Sequence, residues 1–151
     1  MNQSRRTALK STGAFATLVS LGIVTQSQAQ AAVDHASFQV KTLEDALKAI
    51  GGTAATSDQV SVVSPDIAEN GAVVPVGATS KLANTTAIYL LVEKNPTPLA
   101  AGFTLPAGTE PEVQTRLKMG QSTNVLALVK ADGKLYTATK ETKVTLGGCG
   151  G

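Results

Sequence analysis

The feature that most limits the possible folds is a series of short segments rich in Val, Leu and Thr that begins after residue 59. Eight segments have this composition: Val60–Val63, Val73–Val76, Ala87–Glu93, Leu99–Thr104, Glu112–Met119, Val125–Lys130, Leu135–Thr139 and Lys143–Leu146. Such segments favour β-strands, and the Gly, Pro, Asn and Asp between them favour turns. The sequence therefore predicts an all-β fold, an immunoglobulin-like antiparallel β-sandwich, with a small barrel as the alternative.

Two turn and strand signals are specific enough to predict local geometry. Asp132-Gly133 predicts a tight hairpin, because glycine readily adopts the positive φ that a two-residue loop needs. Pro75 lacks the N–H of a sheet hydrogen bond and therefore indicates an edge strand or a bulge. Val73, Val74, Pro75 and Val76 are a candidate edge for pairing with a partner protein, and an ordinary core strand with a bulge is the alternative.

One short helix is predicted before the strands, at Leu43–Ile50. Four apolar side chains recur there at helical spacing on one face: Leu43, Ala46, Leu47 and Ile50. Thr42 can cap the first turn, and Gly51-Gly52 is typical of a helix end.

The first 31 residues have the three regions of an export signal. Arg5 and Arg6 lie in a charged stretch, residues 14–24 are weakly apolar, and residues 29–31 have the A-x-A pattern of a cleavage site. Adjacent arginines favour the twin-arginine route. Because that signal usually has Phe where this chain has Ala8, the general secretory route is the alternative.

This signal predicts how the chain is divided. Residues 1–31 form a twin-arginine-type signal peptide, residues 32–145 form the β-sandwich domain with its N-terminal helix, and residues 146–151 form a C-terminal arm. After cleavage near Ala31 we expect the mature protein in the periplasm.

Composition excludes several classes of function. The chain has 13 Lys and Arg against 11 Asp and Glu, and three of the cations precede residue 31, which leaves ten against 11 and a net charge of −1 in the mature protein. We therefore expect no nucleic-acid binding and no membrane insertion of the mature protein. With one Cys, one His and no nucleotide motif, we also expect no metal, no cofactor and no catalytic residues. His35, Asp58, Asp66 and Glu69 are expected to be solvated.

The single thiol, Cys149, lies two residues from the C-terminus between two pairs of glycines: Gly147, Gly148, Gly150 and Gly151. Glycine has the widest backbone freedom and no side chain to pack, so a flexible, swinging arm is predicted. A catalytic cysteine needs a base nearby, and no Lys, Arg or His lies within five residues of Cys149. We interpret this thiol as an attachment point whose reactivity other proteins supply.

Three parts of the chain are together similar to one family: Ser4–Lys10, Ile67–Val76 and Gly147–Gly151. With them the sequence resembles the SoxY family, the sulfur-carrier subunits of the bacterial Sox thiosulfate-oxidising system. The resemblance implies an immunoglobulin-like β-sandwich. It also implies that Cys149 is the covalent attachment site for sulfur intermediates, and that the chain is a carrier and not an enzyme.

The resemblance implies partners as well. SoxZ, a second small β protein, would form the SoxYZ complex with the chain, as a heterodimer or a larger assembly. A c-type cytochrome would join thiosulfate oxidatively to the thiol, and a hydrolase with a dimetal centre would release sulfate. In some organisms a sulfane dehydrogenase would then oxidise the remaining persulfide sulfur.

Two functions of other classes stay open at this point. One is an exported immunoglobulin-like structural module whose copies are joined by a disulfide between their tails. The other is a ubiquitin-like carrier that would hold sulfur as a thiocarboxylate on Gly151. The export signal and the position of Cys149 within the arm argue against the thiocarboxylate.

Overall fold

A computed structural model describes residues 34–145 of the chain. The chain divides into two compact units, Met1–Ala36 and Ser37–Gly151, and of the first unit only Asp34–Ala36 are described. A 3-10 helix spans Asp34–Gln39 and contains His35. The predicted export signal, with Arg5 and Arg6, and the predicted arm lie outside the described residues, so their boundaries stay predictions.

Within its described residues, 37–145, the second unit contains one α-helix and nine strands. The helix, α1, spans Leu43–Ile50. The strands are β1 (Ala55–Thr56), β2 (Val60–Val63), β3 (Ile67–Ala68), β4 (Val74–Ser80), β5 (Thr85–Val92), β6 (Leu99–Thr104), β7 (Glu112–Leu117), β8 (Thr123–Ala131) and β9 (Lys134–Val144).

The strands form two sheets, which makes the fold a sandwich and the predicted alternative of a barrel wrong. The larger sheet has the order β1-β9-β8-β5-β6, with β3 also paired to β9, and the smaller sheet has the order β2-β4-β7. The long pairs of both sheets are antiparallel, as predicted. The two-residue strands β1 and β3 were not predicted, and both pair with β9 in parallel.

The main core lies between the two sheets. Alternate residues of β5 and β8 point into it, among them Ile88, Leu90, Val125 and Val129, which are fully buried. The smaller sheet contributes its own buried side chains: Val60, Val74, Val76, Ala78, Val113 and Leu117. This packing of two apolar faces is the source of most of the stabilisation expected for a sandwich.

A second core lies on the opposite face of the larger sheet, under α1. Ala46 and Ile50 of the helix pack against Leu91 and Leu128 of the two central strands. The helix has the predicted bounds, and its start is capped as predicted, since Asp45 N–H donates to Thr42 Oγ1 at 3.1 Å. The central strands are thus covered on both faces, which explains why β5 and β8 are nearly continuous in apolar residues.

The turn at Asp132-Gly133 forms as predicted. Asp132 has φ 49° and Gly133 has φ 72°, the positive values that a type I′ hairpin turn requires. The turn joins β8 to β9, where Ala131 pairs with Lys134. From there β9 runs uninterrupted to Val144, so the two segments predicted separately at Leu135–Thr139 and Lys143–Leu146 are one strand in the described part.

The expectation of an edge strand at Val73–Val76 holds locally for residues 74–76 and not for the rest of β4. Strand β4 is the middle strand of the smaller sheet, between β2 and β7. Pro75 is accommodated because β2 ends at Val63, which pairs with Gly77, so residues 74–76 pair only with β7. Val73 precedes the strand and is exposed. Whether this segment contacts a partner stays a prediction.

Among residues 34–145 no helix combines the length and apolar character needed to span a membrane.

The two-sided burial of the central strands predicts a large loss of stability for a truncation there. Leu91→Ala removes a fully buried side chain from the core under α1. We expect the free energy of unfolding to fall by about 2–5 kcal/mol, measured by urea denaturation. Val63→Ala is the matched control, because Val63 is 52% exposed and its truncation should cost less than about 0.5 kcal/mol. Equal losses in the two variants would contradict the assignment of this core.

Candidate functional site

The predicted attachment site lies just beyond the described residues. Cys149 and the four glycines around it are not described, and the last described residue is Thr145. What the structure defines is the place from which the arm starts, here called the arm root and consisting of Val144 and Thr145. The geometry of the root decides where any group on Cys149 can go.

Backbone hydrogen bonds fix the arm root to two other segments. Val144 N–H donates to Ser122 Oγ at 2.9 Å, just before β8. Thr145 N–H donates to the Ala68 carbonyl at 3.1 Å, which continues the parallel pairing of β3 with β9. Because both residues of the arm root are hydrogen-bonded to other segments of the chain, the folded domain extends to Thr145.

A close backbone approach at Gly71 adds a third restraint. Met119 N–H donates to the Gly71 carbonyl at 2.7 Å. A Cβ at Gly71 would clash with the Met119 carbonyl oxygen and lie 2.9 Å from Val144 Cγ1. A turn forms at Asn70-Gly71, with the Asn70 side-chain oxygen accepting from Ala72 N–H at 2.9 Å. Only glycine fits at this position, since the neighbouring backbone occupies the space of a side chain.

Side chains tie the last part of β9 to the segment that follows β2. Thr142 Oγ1 donates to Ser64 Oγ at 2.9 Å, and both residues are buried. Lys140 Nζ donates to the Ser64 carbonyl at 2.6 Å and lies 3.1 Å from Asp66 Oδ1. These contacts explain why the polar stretch Lys140–Thr142 continues the strand, although its sequence indicates a break. Asp66 is 88% exposed, so its ion pair adds little stability.

The segment between β2 and β4 also carries the large apolar side chains that are most exposed among the described residues. Ile67 is 59% exposed and Val73 is 51% exposed, and Val63 lies at the end of β2. Ile67 pairs with Lys143 beside the arm root, and Val73 follows the turn that touches Val144. An apolar surface next to the start of the arm is a reasonable contact region for another protein.

Sequence analysis missed the residues that hold the arm root. It singled out Cys149 and the glycines, whereas Ala68, Gly71 and Ser122 do the holding. The pair Asn70-Gly71 indicates a turn in the sequence. Its contact with Met119 could not be predicted in the same way, because Met119 lies 48 residues further along the chain. The predicted loop acids Asp58 and Glu69 are exposed, as expected.

Within residues 34–145 no three or more His, Cys, Asp or Glu side chains are grouped so that they could hold a metal ion.

Comparisons with known proteins agree on the family. The family of the sulfur oxidation protein SoxY matches residues 46–149, a stretch that ends at the cysteine itself. The sulfur carrier protein SoxY from Chlorobium limicola f thiosulfatophilum is similar in structure, with a TM-score of 0.63 and 36% sequence identity. This match covers 70% of the present chain and 97% of that chain.

More distant structures share only the fold. The superoxide reductase (neelaredoxin) from Ignicoccus hospitalis has a TM-score of 0.51 and 21% identity, and the match covers 58% of this chain and 80% of that one. A single-substitution variant of the same reductase gives a TM-score of 0.51 at 22% identity, over 65% and 87% of the two chains. No curated protein sequence matches the chain.

The close approach at Gly71 predicts a sharp sensitivity to one methyl group. Gly71→Ala should lower the free energy of unfolding by about 1–3 kcal/mol, because Met119 and Val144 must move. Amide hydrogen exchange at Val144 and Thr145 should accelerate, since these residues lose the packing that holds the root. Both quantities can be measured on the same samples.

Gly120→Ala is the control for this prediction. A Cβ there meets nothing within 4 Å, so neither stability nor exchange at the root should change appreciably. If amide exchange at Val144 and Thr145 is as slow in Gly71→Ala as in the wild type, then Gly71 does not hold the root.

Proposed function

Because the chain belongs to the SoxY family, we propose that it is a carrier that binds sulfur intermediates covalently through Cys149 and presents them to enzymes. The observation that carries this proposal is the 36% identity to a sulfur carrier protein across 97% of that protein's chain. The family match through residue 149 supports Cys149 as the attachment point. The chain itself then acts as a covalently loaded substrate and not as a catalyst.

The proposed loading step is an oxidation. The thiol of Cys149 and the terminal sulfur of thiosulfate form an S–S bond, and one proton and two electrons leave. A c-type cytochrome, the partner that the resemblance implies, would accept these electrons in two one-electron steps. The product is an S-thiosulfonate with a single negative charge on its sulfonate group.

The proposed release step is a hydrolysis. Water attacks the terminal sulfonate sulfur, and the bond between that sulfur and the neighbouring sulfur breaks. Sulfate and two protons leave, and a persulfide anion stays on Cys149. No electron is transferred in this step, so a hydrolase is sufficient, and a sulfane dehydrogenase would act only on the persulfide that remains.

Covalent attachment has a clear physical advantage. Thiosulfate is a small dianion that would diffuse away between separate enzymes, whereas a tethered intermediate keeps a high effective concentration at each of them. An unperturbed thiol has a pKa of about 8.5, so only a few per cent is thiolate at neutral pH. Reactivity is then supplied where the arm enters an enzyme.

The length of the arm limits how enzymes can use it. From Thr145 to Cys149 there are four residues, which extend to about 14 Å. An enzyme whose reactive centre meets Cys149 must therefore touch the domain around the arm root. Ile67 and Val73, exposed next to the root, are the side chains we propose for that contact.

We also propose export and a partner chain. The region up to Ala31, with Arg5 and Arg6, would direct the folded chain to the periplasm. SoxZ would travel with it as a bound partner, since the twin-arginine route carries folded proteins.

Removing the thiol tests the proposal directly. Cys149→Ser should abolish thiosulfate-dependent turnover by the assembled enzymes, because a hydroxyl cannot form the S–S bond. The urea midpoint should not change, since a glycine-rich arm is expected to contribute almost no burial. Turnover at the wild-type rate in Cys149→Ser would refute the carrier role.

Intact mass spectrometry separates the alternatives with the same variant. A carrier gains the mass of sulfur or thiosulfate on Cys149, and a structural module gains only a disulfide to a second copy. A thiocarboxylate carrier gains its sulfur on Gly151. Adducts that persist in Cys149→Ser would exclude attachment at the thiol.

Bulky side chains beside the thiol test the steric role of the glycines. Gly147→Val with Gly148→Val should slow enzymatic processing by about tenfold or more, because branched side chains widen and stiffen the arm. Chemical labelling of Cys149 by a small disulfide should proceed at the wild-type rate. Unchanged processing, measured as sulfate released per minute, would count against entry into a narrow channel.

A further inference from the structure

The turn between β3 and β4 contains the one Asn-Gly pair of the chain, Asn70-Gly71. Asn70 is exposed, and its backbone carbonyl accepts from Val73 N–H at 3.3 Å. Its side-chain oxygen accepts from Ala72 N–H at 2.9 Å. The ring that this second hydrogen bond closes runs through the backbone nitrogen of Gly71. It therefore keeps that nitrogen and the side-chain carbonyl carbon of Asn70 within one small turn.

The backbone nitrogen of Gly71 is available for reaction with that carbon. Gly71 has no Cβ, so no side chain hinders the approach of its nitrogen to the Asn70 side chain. Among residues 34–145 no acceptor is hydrogen-bonded to Gly71 N–H, whereas the Gly71 carbonyl accepts from Met119 N–H at 2.7 Å. The Ala72 N–H polarises the side-chain carbonyl of Asn70 and makes its carbon more electrophilic. A nucleophile and an electrophile are thus adjacent in this turn.

The other asparagines within residues 34–145 lack this combination. Asn95 precedes Pro96, whose nitrogen carries no hydrogen that could be replaced by a new bond. Asn84 and Asn124 precede β-branched residues, whose side chains crowd the backbone nitrogen. The side-chain amides of Asn84 and Asn124 also donate to carboxylates of distant residues, at 2.8 Å in both cases, which holds them away from their own backbone.

We propose that Asn70-Gly71 is a site of spontaneous covalent modification, and that its isoaspartyl product loosens the end of β9. The Gly71 nitrogen bonds to Asn70 Cγ, the bond from that carbon to the side-chain nitrogen breaks, and ammonia leaves with the proton that Gly71 gives up. Water then opens the resulting cyclic imide at either of its carbonyls. The products are aspartate and isoaspartate, and each carries one new negative charge. No electron is transferred, and the reaction does not depend on the carrier function.

The isoaspartyl product changes the backbone at a place that has no room for it. The chain then runs through the former side chain, which adds one C–C bond of about 1.5 Å between the two residues of the pair. A Cβ at Gly71 would already clash with the Met119 carbonyl oxygen and lie 2.9 Å from Val144 Cγ1. Just before the pair, the Ala68 carbonyl accepts from Thr145 N–H at 3.1 Å. A displaced turn therefore weakens the contacts that hold Val144 and Thr145.

Peptide mapping by mass spectrometry tests the reaction. The full chain, with any partner chain that co-purifies, is incubated at neutral pH in buffer and in denaturing urea. In buffer, the side-chain amide of Asn70 should be replaced by a carboxylate roughly tenfold or more faster than those of Asn84 and Asn124, whose branched neighbours hinder attack. The rate at Asn70 in buffer should stay within about tenfold of its rate in urea, because an exposed turn needs no global unfolding. A slower reaction in buffer, or equal rates at the three asparagines, would overturn the proposal.

Amide hydrogen exchange tests the effect on β9. The new negative charge allows ion-exchange chromatography to separate modified from unmodified protein, and peptide mapping gives the share of isoaspartate in the modified fraction. In the isoaspartyl molecules, exchange at Val144 and Thr145 should be roughly tenfold or more faster than in the unmodified protein. Val129, in the centre of β8, should exchange at the same rate in both, because it is fully buried in the main core.

Two variants separate the backbone change from the charge. Asn70→Asp has the new charge on a normal backbone, so exchange at Val144 and Thr145 should be as slow as in the unmodified wild type. Asn70→Gln has a longer side chain that closes a ring less readily, so the same incubation should neither modify it nor accelerate its exchange. Wild-type exchange in the isoaspartyl molecules would refute the effect on β9. Equally fast exchange in Asn70→Asp, or in incubated Asn70→Gln, would refute it as well.

Discussion

The two central strands of the larger sheet, β5 and β8, are buried on both faces, and the rest of the structure supplies a cover for each. Leu91 and Leu128 point toward α1, whereas Ile88 and Val129 point toward the smaller sheet. Neither cover is sufficient alone, because an exposed face of aliphatic side chains would be costly in water and prone to association. This requirement gives the domain three layers, and it places the long strand β9 beside β8, with its end held by the segments around Ala68, Gly71 and Ser122.

Strand β9 connects this core to the function proposed for the chain. It begins at a tight turn, pairs with β8 over nine residues, and ends at Val144 against Gly71 and Ser122. The root and the glycines supply two different properties that a carrier needs. The domain fixes where the arm starts, and the glycines on both sides of Cys149 add no side chains that would obstruct entry into an enzyme.

Much of this could be predicted from local sequence. The helix at Leu43–Ile50, its cap at Thr42, the hairpin at Asp132-Gly133 and the main strands depend on neighbours within a few residues, and all of them form. The predicted edge is confirmed only for residues 74–76, because β2 ends opposite Gly77 and leaves them without a neighbour on one side, whereas the rest of β4 pairs with β2 and β7. Strands β5 and β8 are apolar at nearly every position, which indicates burial on both faces. A strand with one buried face would instead alternate apolar and polar residues.

By itself, then, the sequence determined the class of fold, the local turns and the residue types of the arm, because each follows from backbone preference and spacing along the chain. Only the tertiary structure decided how β9 is held, since Gly71, Ser122 and Ala68 approach it from positions more than twenty residues away. Such contacts depend on which distant surfaces the packing of the core brings together, and no local pattern encodes that.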